Sequence, residues 1–138
     1  DFRNAVGKLR TFGLRSRAFI LLRPPFMTDA EGIEWALRSI EFAFEHGVEV
    51  CSVIPTRAGN GMMEQLRDAG HYAPPSMDAI ETVLEEGLQM NSGRVFMDLW
   101  DLERFYRCEQ CGPQRKDRLD RMNKTQEIAS PITCPHSL

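Results

Sequence analysis

Cys108 and Cys111 stand on one short turn in "RCEQCGPQR" (107–115), and Cys134 and His136 follow beyond residues 112–133. Two thiolates on a knuckle and a Cys-x-His make four ligands of the kind that close a tetrahedral Zn²⁺ site. Three cysteines with a histidine or exchangeable fourth ligand equally fit an auxiliary iron–sulfur cluster. Plain reduced thiols remain a second reading, and a Cys-x-x-Cys redox pair a third. The redox reading is the weakest of the three, because the pair does not follow a strand as it does in thioredoxin-like folds. Cys51 lies between Val50 and Val53 in an apolar run and reads as an inert core thiol. Asp98 and Asp101 flank Trp100, where they are placed either to act on a substrate or, for Asp101, to cap the following "LERF" turn. His46 closes a helix, where an imidazolium suits the dipole, and His71 precedes Tyr72 in a loop.

These residues are carried by alternating elements. "DFRNAVGKLRTF" (1–12) puts Phe2, Ala5, Val6, Leu9 and Phe12 on one helical face, with Gly13 as the stop. "RAFILLRPPF" (17–26) is an unbroken apolar run closed by Pro24 and Pro25, the pattern of a strand covered on both faces. Thr28 and Glu31 form a capping box ahead of an Ile33, Leu37, Ile40, Phe44 stripe that Gly47 ends. "VEVCSVIP" (48–55) is a second buried strand, so a βαβ unit with parallel strands is expected. A polar loop, "TRAGNG" (56–61), leads to a short helix. Ser76 then caps a helix over 77–90 with Met77, Ile80, Leu84 and Leu88 inward and Asp78, Glu81 and Glu85 outward. "RVFMDLW" (94–100) is a third strand, and residues 113–128 read as an amphipathic helix opened by Pro113.

The expected fold is therefore α/β: βα units with parallel strands, part of a (β/α) partial TIM-type barrel, followed by a helical, cysteine-bearing tail. Residues 1–100 form the barrel part and 101–138 the tail. The series opens on a helix and on Asp1, which suits a processed product or a piece of a longer chain. Three strands make a poor closed barrel, and an open strand edge invites pairing between copies.

Composition narrows the class. The chain has 138 residues, 42% hydrophobic and 27% charged, enough for one domain with a real core. No apolar run approaches the roughly 20 residues that span a bilayer. No secretory signal opens the chain, so the four cysteines are expected to be reduced and the protein cytoplasmic. Net charge is −3, but residues 1–27 carry six Lys/Arg against Asp1, and 104–124 carry seven against three acids. Two basic ends suit a polyanion such as RNA, although solvated helix faces with local ion pairs explain them as well.

In parallel α/β folds ligands bind beyond the carboxyl ends of the strands. Those ends are "RPPFMT" (23–28), with Arg23, and "IPTRAGNG" (54–61), with Thr56, Arg57 and Asn60. Gly59 and Gly61 lack the Lys-Ser/Thr and third glycine of a nucleotide-phosphate loop. "AFILLRPPFMTDAEG" resembles the fifth barrel strand, proline loop and capped helix of radical S-adenosylmethionine (SAM) enzymes. "VEVCSVIPTRAGNGMMEQL" resembles their sixth strand and its Pro-x-x-Gly-Asn/Thr loop, here with three residues between Pro55 and Gly59. The likeness is to the branch of the Elongator radical subunit and the methylthiotransferases, and above all to the radical SAM component of archaeosine synthesis. That group also suits the "GRVFMDLWDLERF" segment with its following cysteine pair.

The resemblance covers essentially the whole chain and concerns the C-terminal half of such enzymes. It implies a partial barrel that binds SAM and a [4Fe-4S] cluster, the cluster held by a Cys-x3-Cys-x2-Cys loop and used to generate a 5′-deoxyadenosyl radical. No such triad occurs here, since position 104, four residues before Cys108, is Arg. The cluster ligands are thus expected in a preceding N-terminal half, and this chain alone is expected to be inactive. By carry-over Ile54, Pro55 and Thr56 line the adenine, with Arg23 and Asn60 near the ligand's polar groups. The implied setting is RNA (tRNA) base modification. The alternative is a non-catalytic α/β module whose zinc knuckle binds RNA or a protein partner.

Overall fold

Apolar runs bounded by proline and glycine become strands, and capped amphipathic stretches become the helices between them. The computed structural model describes residues 1–136. Among these the order is α1 (Phe2–Thr11), β1 (Arg17–Leu22), α2 (Asp29–Glu45), β2 (Val50–Pro55), α3 (Met62–Asp68), α4 (Met77–Gln89), β3 (Arg94–Met97), a 3-10 turn (Leu102–Phe105) and α5 (Gly112–Thr125). The fold is α/β, with three parallel strands in the order β1-β2-β3. No helix among the described residues is long and apolar enough to cross a membrane.

The capping box forms as the sequence predicts: Glu31 N donates to Thr28 Oγ1 at 3.1 Å, and Thr28 N donates to Glu31 Oε1 at 3.0 Å. One face of the sheet, with Ile20, Leu22, Cys51, Val53, Val95 and Met97 buried, packs under Ile40 of α2 and Ile80 and Leu84 of α4. Cys51 is fully buried there, and that burial pushes its thiol up to about 11, as an inert core thiol requires. Gly32 lets α2 approach the end of β1, because a Cβ there would lie 2.9 Å from Arg23 Cβ.

The other sheet face departs from expectation. The register aligns Phe19 with Ser52 and Phe96, and Leu21 with Ile54. Phe19 is 68% and Leu21 54% exposed, so β1 is covered on one face only. The apolar run is continuous, but the described residues supply helices to just one face. Arg17 reaches across this open face, donating to Ser52 Oγ at 3.2 Å and lying over the Phe96 ring. Helix α1 is similarly half-used: Val6 is buried, whereas Phe2, Leu9 and Phe12 of the predicted stripe stand exposed. A groove of about 480 Å³ opens between α1, the free edge of β1 and α2, lined by Phe2, Phe19, Leu21, Trp35 and Phe42.

The face of α4 predicted to be solvated is instead an interface. Glu81 and Glu85 meet α5, where Arg118 donates to Glu85 Oε1 at 2.6 Å and Arg115 pairs with Glu81 and Asp78. Arg118 is 4% exposed, with Nε and Nη2 donating to Ala129 O and Nη1 to Glu81 Oε2 at 3.4 Å. A buried guanidinium needs such a full set of acceptors.

Asp29 ties the loops beyond the strands together. Its carboxylate accepts from Arg23 NH1 (3.2 Å), Ser76 N (3.0 Å) and Ser76 Oγ (2.6 Å). Asp29→Ala leaves Arg23 and the α4 cap short of an acceptor, so a loss of about 2–3 kcal/mol is expected. It should appear as a lower urea midpoint with unchanged slope.

Candidate metal centre

The chain enters the cysteine turn from the 3-10 segment, and Gly112 N closes it by donating to Cys108 O at 2.8 Å. Gly112 is required by contact, since a Cβ there would fall 2.2 Å from the Tyr106 ring. Cys111 sits at the start of α5, and Pro113 occupies the first turn, where its missing N–H costs nothing. After α5 the chain reverses at Gln126 (φ 59°) and runs back toward the knuckle. A 14-residue helix is about 21 Å long, so a return of eight extended residues, about 26 Å, has little slack. That return delivers Cys134 and His136 to Cys108 and Cys111.

The three Sγ atoms and a ring nitrogen of His136 all lie within 4.8 Å of one another. Cys111 Sγ is 3.5 Å from His136 Nδ1. Ligands at Zn–S and Zn–N bond lengths on a tetrahedron lie roughly 3.5–3.8 Å apart, so a small contraction closes the set. Backbone geometry already favours charge at Cys108. The Cys111 N–H, then those of Gln110 and the neighbouring thiols, hold its thiol below the ordinary value against the opposing effect of burial. Cys111 is pushed up to about 12, first by its hydrogen bond to Cys134, then by burial and Cys108. Three thiols this close cannot all ionise alone; a cation that takes up their charge resolves the conflict. The four residues that sequence spacing singled out are brought together and can hold a metal ion.

The strand-end candidates are placed differently. Thr56 is buried, donates its hydroxyl to Arg23 O at 2.6 Å and accepts from Tyr72 OH at 3.1 Å. The Arg23 guanidinium points to Met27 O, Asp29 and Pro74 O, and Asn60 Oδ1 accepts from Met63 N at the start of α3. Pro55 is buried on the helix-covered face, and Ile54 shares the open face with Leu21. Pro55 and Thr56 are thus buried, Arg23 is half-buried with its guanidinium bonded within the loops, Asn60 is exposed and caps α3, and Ile54 lies half-buried on the open face. Arg57 bridges two loops by donating to Pro55 O and Trp100 O and pairing with Asp98 at 3.4 Å, its guanidinium between the Trp100 and Phe105 rings. Asp101 makes no cap and pairs with Arg104 at 2.9 Å. His46 Nδ1 lies 2.8 Å from Phe42 O, a local contact at the helix end.

Sequence reasoning missed Tyr72, Asn123 and Gln126. Tyr72 is buried behind Thr56, and burial raises its phenol. The two amides clamp the outer edge of β3: Gln126 bonds Val95 N and O, and Asn123 bonds Met97 N and O, each at 2.9 Å. Two amides three residues apart on a polar helix carry no signal of that role.

No family model matches the chain, and no solved structure matches it. Among curated proteins it is similar to an uncharacterized protein of Methanocaldococcus jannaschii, 26% identical over 132 residues. The match takes in 90% of this chain and 36% of that protein, so the chain spans about a third of the relative's length.

Metal analysis of anaerobically purified protein should give about one metal ion per chain. Cys111→Ser and Cys134→Ser should abolish it, whereas Cys51→Ala should retain it.

Proposed function

We propose that this chain is the C-terminal portion of a radical SAM iron–sulfur enzyme that modifies an RNA base, contributing part of the SAM and substrate cleft. The observation that carries the reading is the asymmetry of the sheet. One edge is closed by side chains of α5, while β1 keeps a free edge, an uncovered apolar face and a half-used helix beside it. Those are the surfaces that further strands of a barrel, on the N-terminal side, would cover. The chain's matching only about a third of a longer relative leaves room for further protein beyond these residues.

The strand ends supply the cleft. Ile54 presents its side chain, while Arg23, Pro55, Thr56 and Asn60 are held by internal bonds or burial and contribute through backbone atoms and loop shape. When bound, the [4Fe-4S] cluster and SAM would supply radical chemistry, with the cluster ligands lying outside this chain. This chain's own share is to position and shield. Arg57, fixed between Trp100 and Phe105, stiffens the loop after β2, and the Thr56–Tyr72 bond locks its base.

At the tail the donor set favours Zn²⁺. Three thiolates and one imidazole form a closed structural site with no open position, which a catalytic zinc would need. An auxiliary iron–sulfur cluster is the other occupant this donor set admits. The Cys₃His site also favours a second reading, a non-catalytic module in which the knuckle serves RNA or protein binding.

The full-length parent, purified without oxygen, decides between them. Iron and sulfide with SAM-dependent release of 5′-deoxyadenosine are expected from the parent, and no SAM cleavage from residues 1–138 alone. A parent lacking a Cys-x3-Cys-x2-Cys loop upstream of Asp1, or holding zinc and failing to bind SAM, would sink the enzyme reading and favour the module.

A further inference from the structure

We propose that the tail metal is a latch for the edge of the sheet: its occupancy holds α5 across β3 and so ends the sheet there. This rests on the reading of Cys108, Cys111, Cys134 and His136 as a metal site.

In a parallel ladder each residue turns its N–H and C=O to the same side, and successive residues alternate. Arg94 N donates to Glu49 O, and Asp98 N to Val53 O, so the intervening Val95 and Met97 direct their polar groups away from β2. Left bare, that edge would accept another strand. Instead Gln126 Oε1 accepts from Val95 N while its Nε2 donates to Val95 O, and Asn123 treats Met97 in the same way. Two side-chain amides thus take the place of a fourth strand.

The link to the metal is Gln126. Its side chain is one clamp, and its backbone, at φ 59°, is the point where the chain reverses out of α5. That left-handed residue is capped by its own N–H on Met122 O at 2.8 Å and, being non-glycine, carries strain that the segments on either side help to hold. On one side stands α5, anchored through Arg115 and Arg118 to α4. On the other the return strip is held at Ala129 O by Arg118, and at its far end by Cys134 and His136. Without the metal the far anchor is lost, the strained reversal relaxes, and the Gln126 amide leaves Val95.

The test is hydrogen exchange of the full-length protein, read on peptides carrying Val95 and Met97 and on peptides from the central strand. Metal removal by chelation should speed exchange at Val95 and Met97 by about tenfold or more, leave Ser52 and Val53 unchanged, and be reversed by adding Zn²⁺. Asn123→Ala should speed Met97 exchange while the protein keeps its metal, showing that the clamp is separable from the site. Unchanged protection at Val95 and Met97 after proven metal loss would overturn the latch and leave the metal site standing. Loss of protection throughout, central strand included, would also overturn it, since the metal would then hold the whole fold. A protein that binds no metal at all would remove the site reading and the latch with it.

Discussion

An open parallel sheet has two edges, and every backbone N–H and C=O along them must find a partner. The architecture of this chain follows from how those edges are treated. On the β3 side Asn123 and Gln126 match the four outward groups of Val95 and Met97 one for one. On the β1 side the described residues offer no such partner, and the same strand exposes Phe19 and Leu21. The sheet is finished in one direction and open in the other. That polarity places α5, fixes the path of the tail and leaves the α1–β1–α2 groove on the open side.

Ion pairs secure the finished edge, and the tail ends in a Cys₃His cluster that can hold a metal ion. Arg115 and Arg118 cross to Glu81, Asp78 and Glu85, an arrangement stable in a buried seam because each guanidinium finds several acceptors. The tail contributes little apolar burial of its own, so its course depends on Arg118 at one point and on the Cys₃His cluster at its end. Three thiols that cannot ionise together are a poor arrangement for free cysteines and a good one for a cation. The strand-end loops are secured differently, by neutral hydrogen bonds and stacking: Thr56 on Arg23 O, Tyr72 on Thr56, and Arg57 between two rings. Left-handed conformations at Arg23, Phe26 and Asp101 gather at these same strand ends, where strain often accompanies binding.

Local signals were legible wherever the physics is local. The Thr28–Glu31 capping box, the Ser76 cap, Cys51 as a core thiol and the α/β alternation all follow from residues within a few positions of one another. The four metal-site residues were legible because Cys-x-x-Cys and Cys-x-His are chemically distinctive even when far apart. The outward face of α4 was misread, since Glu81 and Glu85 look solvated until α5 brings arginines to them. The strand over residues 17–22 differs in the same way: its apolar run has the pattern of a strand covered on both faces, and the described residues cover one. Side-chain roles for Arg23, Thr56 and Asn60 were hidden for a related reason, as their partners Asp29, Arg23 O and Met63 N belong to loop geometry.

By itself, then, the sequence determined the elements, their parallel α/β order and the identity of the four residues that can hold a metal, because periodicity, capping and ligand chemistry are written in residue types. Only the tertiary structure decided that α5 folds across β3, that two ordinary amides close the sheet, and that the return from Gln126 carries Cys134 and His136 back to the knuckle. Those outcomes turn on pairings between positions some thirty residues apart, where nothing in the residue types distinguishes a clamp from a solvated side chain.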